Sequence, residues 1–190
     1  MSSPRFALVL ATAALVCNPG ASQSGEVQQR EGAVLARAVV TVADDFVVDV
    51  YQNGRLVPLD KRELTAEIFG ATAEKMSLTV RSGDWLVFNV VQNRLRWGGS
   101  RYFGVAGLGP NGGFGFISDP STGDWCCCDA PRDVDRFISE REFMKEQKCV
   151  LADPEWEDGA SLMKERAGPA WNGDAIWGLA SNCWIKFRVP

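Results

Sequence analysis

The stretch Gln92-Asn93-Arg94-Leu95-Arg96-Trp97-Gly98-Gly99-Ser100-Arg101-Tyr102 is the richest mixture of recognition groups in this chain. Asn93 offers an amide donor and acceptor, and Arg94, Arg96 and Arg101 offer planar forks of donors. Trp97 and Tyr102 add flat rings with a polar handle. Rings that stack and forks that bind paired hydroxyls are the chemistry of holding a sugar. The same residues also suit a plain loop, with Trp97 packed beneath it and the arginines in solvent.

Five cysteines follow the first twenty residues: Cys126, Cys127, Cys128, Cys149 and Cys183. Two disulfides and one leftover thiol is the simplest account, members of the triplet bridging to Cys149 and Cys183. If the triplet is extended, Cys126 and Cys128 face one side and Cys127 the other. Cys126 and Cys128 are therefore expected in the bridges with Cys149 and Cys183, and Cys127 is expected as the odd thiol, able to join two chains as a disulfide-linked homodimer. Spacing alone does not fix connectivity. Zinc is disfavoured, because there is no C-x-x-C pair and no histidine.

The lack of histidine also excludes Ser-His-Asp and Cys-His mechanisms. A carboxylate pair of the glycosidase kind is what remains, drawn from Asp119, Asp124, Asp129, Glu155, Glu157 and Asp158. Among 24 acidic residues such pairs arise by composition alone, and these read as solvated surface groups. No nucleophile elbow, P-loop or dinucleotide fingerprint occurs, so no catalytic residue and no enzyme activity is expected. A formal net charge of -4 with scattered Lys and Arg leaves no basic stripe for a phosphate backbone, and nucleic acid is not an expected partner.

Residues 1–22 read as a secretory signal peptide: Arg5 is basic, Phe6 to Val16 is apolar throughout, and Gly20-Ala21-Ser22 supplies small residues for cleavage. The apolar run falls well short of the roughly 20 residues a spanning helix needs, so no membrane span is expected. Val16 before Cys17 argues against a lipid anchor. The expected location is secreted and extracellular, or periplasmic in a bacterium. Residues 23–31 are a polar lead-in, and 32–190 form one domain with length enough to bury its own core.

The elements that must position these groups are mostly strands. Val34 to Val42 and Phe46 to Tyr51 are rich in β-branched residues, with Asp44-Asp45 between them and the hairpin pair Asn53-Gly54 after them. Lys75 to Val80 turns through Ser82-Gly83-Asp84 into Trp85 to Val91, and strands follow at Arg101 to Leu108, Gly113 to Ser118 and Cys183 to Val189. Asp133 to Lys148 is the helical candidate, with Val134, Phe137, Ile138 and Phe143 on one face. Asp153 to Gly173 reads as a loop, whose Trp156 and Trp171, with Trp177 beyond, either line a binding face or form a small core of their own.

Thr41-Val42-Ala43-Asp44-Asp45 followed by Tyr51-Gln52-Asn53-Gly54 resembles the opening hairpin of secreted galactose-binding-like modules. Gly83-Asp84-Trp85, Ala106-Gly107-Leu108, Ser118-Asp119 with Trp125, Ala175-Ile176-Trp177 and Phe187-Arg188 resemble later landmarks of those modules in order. The resemblance implies an all-β antiparallel jelly-roll β-sandwich with one or two short flanking helices. The cysteine triplet, Asp133 to Lys148 and Asp153 to Gly173 depart from that pattern. It also implies a lectin-like carbohydrate-binding role, and Asp44 and Asp45 resemble a calcium-gripping pair that then holds sugar hydroxyls; calcium's demand for six to eight oxygens suits two carboxylates with loop carbonyls. A turn between strands is the other reading of that pair. The alternative function is a structural or adhesive extracellular protein making protein contacts.

Overall fold

The computed structural model describes residues 32–68, 71–92, 101–143, 149–151 and 157–190. These form fourteen strands: β1 (Val34–Ala36), β2 (Ala38–Ala43), β3 (Phe46–Gln52), β4 (Arg55–Leu56), β5 (Arg62–Ile68), β6 (Ala71–Met76), β7 (Val80–Arg81), β8 (Trp85–Val91), β9 (Phe103–Leu108), β10 (Phe114–Ile117), β11 (Trp125–Cys128), β12 (Val150–Leu151), β13 (Ile176–Trp177) and β14 (Asn182–Arg188). Two helices accompany them, α1 (Val134–Ser139) and α2 (Glu157–Ala167). Pairing is antiparallel throughout, as the sequence leads one to expect of an all-β sandwich.

The first sheet runs β12-β13-β9-β2-β6-β5, with β10 also on β9; the second runs β11-β14-β8-β3-β4; and β1 pairs with β7 in a short ribbon. Alternation along each strand builds the core between the sheets. Val39, Met76, Phe103 and Val105 of the first sheet meet Val50, Leu86, Phe88, Val90, Ile185 and Phe187 of the second, all buried. Phe88 and Phe103 lie 5.0 Å apart between ring centroids, tilted against one another.

Both outer faces are also partly covered. Val40, Val42, Ala73, Tyr102 and Ala106 point away from the inter-sheet core and bury themselves under Leu162 and Met163 of α2 and under Trp171. On the other side Val87, Cys126 and Cys128 lie beneath Phe137 and Ile138 of α1. Asp133 caps α1, its carboxylate accepting from the Arg136 amide at 2.9 Å. Lys186, buried on that same face, donates from Nζ to the carbonyls of Glu140 at 2.7 Å and Glu142 at 3.4 Å and sits over the Phe137 ring. A cation there satisfies the C-cap carbonyl of Glu140, which the end of the helix leaves bare, and the Glu142 carbonyl beyond it.

Several expectations about the elements need correction, and the helix expected over Asp133 to Lys148 ends at Ser139. Val34 to Val42 is interrupted at Arg37, and Lys75 to Val80 divides between β6 and β7. β5 was not foreseen, because Arg62, Glu63 and Glu67 mask a strand held mainly by its pairing with β6. α2 occupies much of the stretch expected to be a loop: Gly159 weakens its helical signal, while packing of Leu162 and Met163 supplies what propensity lacks.

The cysteines also differ from expectation. The parity is as reasoned, for Cys126 and Cys128 face α1 while Cys127 faces the opposite way. The bridging side is reversed: Cys127, on the face shared with Trp125, points into the inter-sheet core and is joined there to Cys149. Cys126, Cys128 and Cys183 are buried thiols. Burial pushes the Cys126 thiol up to about 11 and raises that of Cys183 further, so neither is a nucleophile near neutral pH.

Candidate functional site

Of the groups picked from the sequence, Asp44, Asp45, Arg101 and Tyr102 lie where the β2–β3 connection meets the start of β9. The Asp44 amide donates to the Tyr102 carbonyl at 3.1 Å, and the Arg101 guanidinium donates to the Leu179 carbonyl. Burial then changes their meaning. Tyr102 is 1% exposed, a core residue under α2 rather than a stacking platform, and Asp44 is 0% exposed. Asp45 is half-buried; desolvation pushes its carboxyl up and the nearby Glu67 adds to the shift. Among the described residues no group of three or more Cys, Asp or Glu gathers as a metal would need. Asn93, Arg94, Arg96 and Trp97 lie outside the described residues.

Trp125, Trp171 and Trp177 are likewise buried. Trp177 donates its indole N–H to the Ala180 carbonyl at 2.8 Å, and Trp171 donates to the Val105 carbonyl at 3.3 Å. These rings are cores, not binding surfaces.

The outer face of the second sheet offers a different arrangement. α1 covers the row formed by Tyr51, Val87 and Lys186, which are paired across β3, β8 and β14. The next row along the strands is Asp49, Asn89 and Trp184, again paired directly, and beyond it lie Phe46, Val91 and Asn182. Asp49, Asn89, Val91 and Trp184 are partly open, while Phe46 and Asn182 are exposed. With strands about 4.8 Å apart, the row from Asp49 to Trp184 spans about 10 Å. A bulge at Val48, between Val47 and Asp49, sets the spacing of Phe46 from Asp49 on that face.

This face is held rigidly. The Trp85 indole donates to the Ile138 carbonyl at 2.9 Å, fixing α1 as a wall beside the row. The Tyr51 and Trp184 rings lie 6.3 Å apart between centroids and join the wall to the row. On the open side of β3, Arg62 from the first sheet donates to the carbonyls of Val47 and, at 2.9 Å, Val48, so the bulge is tied down. The same guanidinium grips Glu74 at 2.9 and 3.0 Å. An aromatic ring, a carboxamide and a carboxylate thus stand in line across three strands, groups chemically able to meet hydroxyls and an apolar ring face.

Sequence reasoning passed over this row, although a signal was there. Asp49 interrupts the apolar run FVVDVY and Asn89 interrupts WLVFNVV, each mid-strand where a polar group needs an outward reason. Which polar interruptions adjoin is a matter of register, and only the pairing of β3 with β8 and of β8 with β14 brings them together. Compared with known proteins, the chain matches no family model, no curated protein and no solved structure.

Proposed function

We propose that this chain is a secreted carbohydrate-binding module of the galactose-binding-like, jelly-roll kind, without catalytic activity, and that it binds sugar on the outer face of its second sheet. The row Asp49–Asn89–Trp184 carries the reading. The Trp184 ring would take the apolar face of a pyranose, Asn89 would donate and accept, and Asp49 would accept from hydroxyls. Phe46 and Asn182 extend the surface on the side away from α1. The end-loop groups are secondary: Asp44 and Tyr102 are buried, and any role for calcium would fall to Asp45.

The adhesive alternative, with chains joined through a thiol, has less support. The three thiols among the described residues are buried, so a bridge between copies through them requires part of the fold to open.

A glycan array with the purified chain, run with calcium and again with chelator, tests the proposal. The expected result is binding to a defined sugar that Trp184→Ala and Asn89→Ala abolish while both variants remain folded. Loss with chelator would return Asp45 to the site. No binding across a broad array would overturn the reading.

A further inference from the structure

We infer that the glycan held on this face is a chain without anionic groups, lying across β14, β8 and β3, and that Asp49 selects against uronate- or sulfate-bearing chains. The inference rests on the sugar-binding reading above and adds the ligand's charge and direction.

The direction comes from the wall. The row from Trp184 to Asp49 runs perpendicular to the strands, and α1 lies over the neighbouring row. A ligand along the strands would strike Phe137 and Ile138, whereas one across them passes beside the covered row. The row spans about 10 Å, which suits successive units of a chain rather than a single terminal sugar.

The charge comes from what the face displays. The row and its outer neighbours hold one ionisable side chain, Asp49, and among these described positions there is no Lys or Arg. Burial raises the pKa of the Tyr51 phenol beside them, and the negative charges of Asp49 and Asp135 add to the shift. The cations packed beside this face are both committed: Lys186 is buried and donates to the Glu140 and Glu142 carbonyls, and Arg62 is largely buried, held by Glu74 and by the Val47 and Val48 carbonyls. A carboxylate or sulfate brought here meets like charge with no partner, which costs affinity and rejects the wrong ligand.

Affinity electrophoresis of the full chain in gels containing soluble uncharged polysaccharides (mixed-linkage β-glucan, galactomannan, arabinoxylan) or anionic ones (polygalacturonate, dextran sulfate) decides it. Retardation by at least one uncharged polymer is expected, at least about tenfold stronger than by either anionic polymer. It should be lost in Trp184→Ala and change by less than about twofold when salt is raised from about 0.05 to 0.5 M. Asp49→Lys should gain retardation by the anionic polymers. If the wild type prefers an anionic polymer and Trp184→Ala abolishes that binding, the site stands and the charge inference falls. If no polymer retards the chain, or Trp184→Ala leaves retardation intact, the sugar site on this face falls and the inference with it.

Discussion

Asn53 and Asp84 clasp one another across two turns: Asn53 Nδ2 donates to Asp84 Oδ1 at 2.7 Å, and Asn53 Oδ1 accepts from the Trp85 backbone amide at 3.0 Å. Gln52 donates to the same carboxylate at 3.0 Å, and the Arg81 amide does so at 2.8 Å. Asn53 and Gly54 both have positive φ, the hairpin geometry that pair favours. Asp84→Ala should therefore strip three donors of their acceptor and cost about 1–3 kcal/mol. Urea unfolding measures it, and a loss below about 0.5 kcal/mol would mean that water replaces the carboxylate freely.

Cys127 and Cys149 are 22 positions apart, so their bridge should contribute about 3 kcal/mol, chiefly by restricting the unfolded chain. Cys127→Ser should lower the unfolding midpoint accordingly. Peptide mapping after alkylation without reductant should leave Cys126, Cys128 and Cys183 unmodified in the native protein and modify all three after denaturation. Alkylated Cys149 in the native protein would contradict the pairing.

Arg62 and Glu74 form a largely buried ion pair at 2.8 Å between their charged atoms. Arg62→Met should cost about 3–5 kcal/mol, because it leaves the Glu74 carboxylate buried without its counter-charge. Burial raises the Glu74 pKa above its ordinary 4.5, although the hydrogen bonds and charge of Arg62 oppose this. A raised folded pKa means that the native state holds the proton longer, so this contribution is fully present below about pH 4.5 and is lost as pH climbs through the folded value. Relative to Glu74→Gln, the wild type should lose stability across that window, a trend that paired urea titrations at successive pH values would reveal or refute.

Two aromatic truncations separate the end loops from the sheet face. Tyr102→Ala opens a cavity under α2 and should cost about 3–5 kcal/mol, losing ligand only as the protein unfolds. Trp184→Ala should cost less than half as much, since its ring is partly open, yet remove binding completely. Calorimetry on the folded fraction of each distinguishes them; sugar binding that survives in Trp184→Ala and disappears from folded Tyr102→Ala would move the site back to the loops.

How much could be read beforehand follows from how local each feature is. The Asn53-Gly54 hairpin and the strands of Phe46 to Tyr51 and Trp85 to Val91 are written in adjacent residues, and they form. The opposite facing of Cys127 from its neighbours followed from strand parity alone. Which side held Cys149 did not, because it depends on how the sheets stack. β5 and α2 are stabilised by partners distant in sequence, Met76 facing Arg62 in one case and Val40 lying in the same cluster as Leu162 and Met163 in the other. For the binding surface, the aromatic-rich run around Trp97 drew attention because its groups are contiguous. Asp49, Asn89 and Trp184 lie on three separate strands and become one surface only through register.

That the bridging cysteine is the middle of three has a consequence for how the chain must mature. Sliding β11 by one residue against β14 would turn Cys126 and Cys128 toward Cys149 and send Trp125 outward, off the Phe187 ring on which it stacks with centroids 4.2 Å apart. Either neighbour could then be oxidised to Cys149, and the chain would be locked in a misaligned isomer held by a covalent bond. Oxidation that outran strand alignment would then be a kinetic trap, which thiol–disulfide exchange would release. Fast oxidation without a reshuffling thiol should yield a mixture of isomers, whereas slow oxidation should give the Trp125-stacked form alone.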